Sequence, residues 1–199
     1  MLQKKYFHIF LILLLLLGVS STYAACIVDG TSYNVGGRGL TSSTAAGGAI
    51  TLSIIRDDWD TTGDDVTTCD VSAITSMSSM FRLEASFNQD ISTWNMRSVT
   101  SMKAMFYGAT SFNQNISNWD VRNVTSMKAM LYGAKSFNQN IDNWNLSNVA
   151  DMSGMFNSAT AFNQDIRDWV VSNVTDCEGF SANAPLTEAN TPNFTNCSP

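Results

Sequence analysis

Two lysine–tyrosine pairs, Lys103 with Tyr107 and Lys128 with Tyr132, are the side chains of this chain best placed to do chemistry, and that chemistry is binding. Each pair is four residues apart, a spacing that would set both side chains on one face of a helix. Arg97 and Arg122 recur at the same 25-residue offset. Ammonium, guanidinium and phenol groups arrayed together attract anions and pack against flat groups. A basic, aromatic stripe of this kind suits an anionic glycan or an acidic protein surface. The competing reading is duplicated, ordinary solvated charge, which is what most charge runs are.

Catalysis has little to work with. His8 is the only histidine, and it falls in a segment expected to be removed. No Gly-rich phosphate loop is present, and no Asp or Glu stands apart from the repeat pattern as a paired general acid and base would. The chain is therefore expected not to be an enzyme and to need no cofactor. Asp58, Asp60 and Asp65 loosely resemble a calcium loop, with Gly63 at the sixth position, but Cys69 stands where the bidentate Glu belongs. That makes it a weak metal candidate.

Residues 1–24 read as a secretory signal peptide. Lys4 and Lys5 precede an apolar run from Ile9 to Val19, and Thr22-Tyr23-Ala24 supplies small residues at the cleavage site. The run is shorter than the roughly 20 residues a spanning helix needs. Removing it leaves 11 − 2 = 9 Lys+Arg against 17 Asp+Glu, a net charge of −8. Such an acidic chain is a poor partner for nucleic acid, whose binding runs on phosphate neutralisation. Export to the cell surface or medium is expected, as a monomer.

Four cysteines in an exported chain suggest two disulfides. Cys26 and Cys69 precede the clear repeats, while Cys177 and Cys197 follow or end them. Cysteines at opposite ends of a long stack cannot come within the roughly 4.4–6.8 Å Cα separation a disulfide requires. The expected pairs are Cys26–Cys69 and Cys177–Cys197. A rival use exists for Cys26, which follows Tyr23-Ala24-Ala25 in an imperfect lipobox; lipidation there would tie the chain to a membrane. The sequons at Asn115, Asn123, Asn145, Asn173, Asn193 and Asn196 matter only in a glycosylating host.

The elements that must position these groups are written in the repeat. A 25-residue unit opening on Phe-Asn-Gln begins at Phe87, Phe112, Phe137 and Phe162, without insertion or deletion. The first two copies share 18 of 25 residues. A degenerate copy precedes them, with Val71, Ile74, Met77, Met80 and Phe81 in the apolar positions. A fixed period in this range is the mark of a solenoid. The alternation around Trp94 suggests a short strand within 91–96. Val99, Met102, Met105, Phe106 and Ala109 recur at spacings of three and four, which suggests a short helix. Ser98 or Asn123 would cap that helix and Gly108 or Gly133 would stop it.

The fold class expected is thus an α/β repeat solenoid, a leucine-rich-repeat-like right-handed coil with one strand and one helix per unit, capped at both ends. Its parts are a signal peptide (1–24), an N-terminal cap (25–68) with a short amphipathic helix from Ile50 to Trp59, the repeats (69–186) and a C-terminal cap (187–199). The tryptophan and methionine columns read as core. The Asn88, Asn113, Asn138 and Asn163 column, with its neighbouring glutamines, reads as a ladder satisfying turn backbone.

Phe-Asn-Gln-[Asp/Asn]-Ile-x-x-Trp followed by Val-[Thr/Ala]-x-Met-x-x-Met-[Phe/Leu] resembles the repeats of BspA-type leucine-rich-repeat surface proteins, which include repeated domains of mycoplasma surface lipoproteins. The likeness covers about residues 70–186. It implies a secreted or surface-displayed module for adhesion or recognition of an extracellular protein or glycan, and it carries no catalytic residues. Two other readings stand beside it. One is a flat-array binder of polysaccharide or ice, resting on the Thr75, Thr100, Thr125 and Thr175 column that Ala150 interrupts. The other is a purely structural secreted protein.

Overall fold

The computed structural model describes residues 66, 67, 69, 71, 72 and 74–199, together with the backbone of three strands nearer the N-terminus. These strands are β1 (Ser32–Val35), β2 (Arg38–Thr44) and β3 (Ile50–Ile54). They form an antiparallel sheet in the order β1-β2-β3, with Val35 opposite Arg38 and Leu40 opposite Ile54. The helix expected from Ile50 to Trp59 is overturned over its first part, which is β3. Ile50-Thr51-Leu52-Ser53-Ile54 satisfies period two as well as the helical period. Its β-branched residues favour the pleated chain. Residues 55–65 lie outside the described set.

From residue 74 onward the 25-residue units lie on one another in register, and they do so without helices. Single parallel bridges join Ser76 to Ser101, Ser101 to Ser126, Ser126 to Asp151 and Asp151 to Asp176. No α-helix forms among the described residues, and no strand longer than a single bridge occurs within the units. The α/β repeat solenoid is therefore the wrong description. In place of the expected strand at 91–96 there is a turn, in which the Trp94 N–H donates to the Ile91 carbonyl at 3.1 Å.

The physical reason is visible in how the backbone donors are used. A helix spends each N–H on a carbonyl four residues back. Here alternate N–H groups point to the next unit instead. Met102, Ala104, Phe106 and Gly108 donate to the carbonyls of Ser126, Lys128, Met130 and Tyr132 at 2.7–3.0 Å. The intervening Met105, Tyr107 and Ala109 donate three residues back, to Met102, Ala104 and Phe106. Such a run of turns requires left-handed residues. Two columns supply them: Ser79, Ala104, Ala129, Gly154 and Gly179, and four residues further on Leu83, Gly108, Gly133, Ser158 and Asn183 all have φ between 52° and 70°. One left-handed residue ends a helix, and two per turn run forbid it.

The turn run buries the apolar residues that the helical spacing pointed to. Met102, Met105, Phe106 and Ala109 are fully buried, as are the matching residues of the next units. Phenylalanine columns run through the stack: Phe87–Phe112, Phe112–Phe137 and Phe137–Phe162 each stand 5.8 Å apart between ring centroids. Each tryptophan of the repeats is buried and donates its indole N–H to a backbone carbonyl of the preceding unit: Trp119 to Ile91 at 3.0 Å, Trp144 to Ile116 at 3.2 Å and Trp169 to Ile141 at 3.1 Å. This meets the polar need of a large buried aromatic. The residues expected to cap a helix bond across units instead. Ser98 Oγ donates to the Ser72 carbonyl at 2.6 Å, and Asn123 Nδ2 donates to that of Arg97 at 2.8 Å.

Cys177 takes a methionine's place in the core and is bonded to Cys197, with a Cα separation of 5.8 Å. Cys69 is also disulfide-bonded. Cys26 lies outside the described residues, as do residues 1–24.

Candidate functional site

Lys103 and Tyr107 sit on the outward side of one turn run, separated by the buried Met105; Lys128 and Tyr132 repeat the arrangement one unit on. They share a face because the run of turns, rather than a helix, turns both outward. Register between units then stacks the tyrosines. The Tyr107 and Tyr132 rings lie 4.6 Å apart and within 10° of parallel. Tyr132 in turn rests over Gly154, where a Cβ would stand 3.6 Å from its Cδ2.

A residue that sequence reasoning passed over completes the column. The Arg82 guanidinium carbon lies 4.8 Å from the Tyr107 ring centroid, a cation–π contact. A shift of 25 along the degenerate first copy places Arg82 on Tyr107, so the signal was present in the sequence. The column is thus a guanidinium followed by two stacked phenols, with Lys103 and Lys128 alongside. Neither lysine makes an ion pair among the described residues, and neither phenol hydroxyl has a hydrogen-bond partner there. Ring faces are engaged by one another, while ring edges, hydroxyls and ammonium groups remain available.

Arg97 and Arg122 belong to a different segment of the unit, and the structure does not join them to the lysine–tyrosine set. Arg122 Nε donates to Asp120 at 2.7 Å. That hydrogen bond is the main cause holding the Asp120 carboxyl below its ordinary value, with the Arg97 charge a smaller one. Arg122 lines a shallow cleft of about 320 Å³ with Asp120, Asn143 and Asn145. Arg122 is thus already partnered, whereas Arg97 is exposed and makes no ion pair among the described residues.

The remaining polar columns are spoken for by backbone. Asn88, Asn113 and Asn138 each accept, through Oδ1, the N–H of the asparagine one unit on, at 2.9–3.0 Å. Gln114, Gln139 and Gln164 donate to the same asparagines. Thr100 and Thr125 Oγ1 donate to the carbonyls of Thr75 and Thr100, at 3.0 and 3.1 Å. Asp58, Asp60 and Asp65 lie outside the described residues. Among those described, no group of three or more metal-ligating side chains occurs, and no helix is long and apolar enough to cross a membrane.

A family model described as "Mycoplasma protein of unknown function, DUF285" matches residues 52–156 and 96–194. No curated protein sequence and no solved structure matches the chain.

Proposed function

The chain belongs to the DUF285 family of mycoplasma-type proteins, and we propose that it is a secreted or cell-surface binding module of the BspA-like kind. It recognises an anionic extracellular glycan or an acidic protein surface without catalysis. One observation carries the reading: the Arg82–Tyr107–Tyr132 column, flanked by Lys103 and Lys128, keeps its cations and hydroxyls free in a chain of net negative charge. Stacking holds the tyrosines rigid, so little side-chain freedom remains to be lost on binding. Isolated cations above an acidic body concentrate anionic ligand at that face. Arg97 extends the basic surface, and Arg122 contributes less because Asp120 already neutralises it.

The alternative of a flat hydroxyl array for ice or neutral polysaccharide is supported less well, since the threonine hydroxyls are already turned onto backbone carbonyls. Immobilised sulfated, carboxylated and neutral polysaccharides, with ice-growth inhibition measured in parallel, separate the readings. Retention on the sulfated and carboxylated supports that weakens steeply with salt supports the proposal. Retention on the neutral support alone, or ice inhibition alone, sinks it.

A further inference from the structure

The last turn run is unfinished, and the way it is unfinished specifies a ligand. In each earlier unit, four alternate N–H groups meet carbonyls of the unit that follows. Met152, Gly154, Phe156 and Ser158, for example, donate to Asp176, Glu178, Phe180 and Ala182 at 2.7–2.9 Å. The equivalent groups of the final run belong to Cys177, Gly179, Ser181 and Asn183, and these donate to no acceptor among the described residues.

The C-terminal segment covers only the rest of this end. Asn190 bonds to Asn163 and to the Ile166 N–H, Asn196 bonds to the Ser172 carbonyl, and the Phe194 ring meets Phe180 edge-on at 5.0 Å. A cleft of about 540 Å³ lies in that cover and reaches the donor row at Ser181, with Leu186, Glu188, Pro192 and Phe194 among its other lining residues. Charge here has one sign. From Asp176 to Pro199 the chain carries Asp176, Glu178 and Glu188 and no lysine or arginine.

We infer that this edge binds an extended, basic peptide segment, which adds as a partial further layer. Its alternate carbonyls accept from the Cys177, Gly179, Ser181 and Asn183 N–H groups, and a lysine or arginine lies over Glu178. The internal units set this register. Lys103 and Lys128 occupy the column that ends in Glu178, so a segment of the Ser-x-Lys-x-Met type stacks its cation on that carboxylate. Main-chain bonds supply affinity and the cation supplies specificity, as in strand addition to an open sheet edge. The site is independent of the tyrosine column, so either reading can fail alone.

The test uses the full chain and a labelled peptide, Thr-Ser-Met-Lys-Ala-Met-Leu-Tyr-Gly, the sequence of residues 125–133. Fluorescence anisotropy is expected to show saturable binding. Ser181→Pro, which removes one unbonded donor, and Glu178→Lys are each expected to weaken it at least tenfold, as is replacing the peptide lysine by Glu. In the wild type, hydrogen exchange is expected to slow on peptide addition at 177–183 and not in the preceding turn runs. Absence of saturable binding, slowing elsewhere, or equal affinity for a folded Ser181→Pro variant overturns the inference. Self-association of the chain that Ser181→Pro abolishes also overturns it, because the edge then serves a second copy.

Discussion

Asn190 donates its side-chain amide to Asn163 Oδ1 at 3.0 Å, and so adds a last rung to a ladder that Asn88, Asn113 and Asn138 build through the repeats. The rung matters because each asparagine oxygen serves a donor from outside its own unit. Between repeats that donor is backbone; at Asn163 it is a side chain from the segment that covers the last of them. Register between units is therefore held on the asparagine side by side-chain acceptors and on the turn-run side by main-chain carbonyls.

The ladder predicts a difference between two substitutions at one site. Asn138 Oδ1 accepts the Asn163 N–H at 3.0 Å and Gln164 Nε2 at 2.8 Å. Asn138→Asp keeps both acceptances and is expected to change stability little. Asn138→Ala loses both at an exposed position that water reaches, and is expected to cost about 1 kcal/mol by denaturant unfolding. Equal effects of the two would show that the ladder contributes nothing.

A second prediction concerns the buried indoles. Trp119→Phe preserves most of the packing but removes one of the two donors to the Ile91 carbonyl, the indole N–H at 3.0 Å, and leaves the Trp94 N–H at 3.1 Å. The expected loss is about 1 kcal/mol, because the carbonyl keeps its other donor. Trp119→Ala, which opens a cavity as well, is expected to lose roughly 3–5 kcal/mol. Thermal unfolding of the two variants gives the order directly.

Gly133 distinguishes a turn run from a helix by sign. Its φ is +66°, and an added Cβ would have room, the nearest atom being Gly108 Cα at 3.8 Å. Gly133→Ala is therefore expected to destabilise by about 1 kcal/mol through backbone strain alone. In a helix interior the same change would stabilise by roughly that amount. Ala129, left-handed at φ 52°, is expected to tolerate glycine without loss.

Acid should weaken the fold in a defined direction. Asp120 and Asp165 are held below the ordinary carboxylate value of 3.8 first by hydrogen bonds from Arg122 and Arg167, and Asp90 by those from Ser92. Because the folded values are depressed, the stability linked to them is complete above the ordinary value and is lost as pH falls through the lower, folded ones. The groups are exposed or nearly so, and their contribution is small and screened by salt. Unfolding midpoints are expected to be level with respect to these groups above about pH 5 and to fall below about pH 4, more gently in Asp120→Asn.

How much of this was legible from residues alone depends on which property the spacing encodes. Burial was legible: the Phe87, Trp94, Val99 and Met102 columns are all interior, because inward-facing apolar residues repeat whatever backbone carries them. Conformation was not. Spacings of three and four mark one face of a helix, but the turn run turns the same residues inward while bonding outward to the next unit. The glycines at 108 and 133 looked like helix stops and are recurring left-handed corners; the alternation of Ala104 and Ala129 with Gly154 and Gly179 in one column was the available clue. The candidate site was legible in part. Lys103, Tyr107, Lys128 and Tyr132 could be chosen from duplication, whereas Arg82 hid in a degenerate copy and the pairing of Arg122 with Asp120 depends on a contact two residues apart in an exposed turn.

The central claim is that the stacked tyrosines and their free lysines form a binding face, and titration of a sulfated oligosaccharide tests it most directly. The wild-type chain is compared with a variant carrying Ser at Lys103, Tyr107, Lys128 and Tyr132, both shown to be folded by their unfolding transitions. Saturable, salt-sensitive binding by the wild type and at least a tenfold loss in the variant are predicted. Equal affinity for the two, or no binding by the wild type at low salt, would contradict the account.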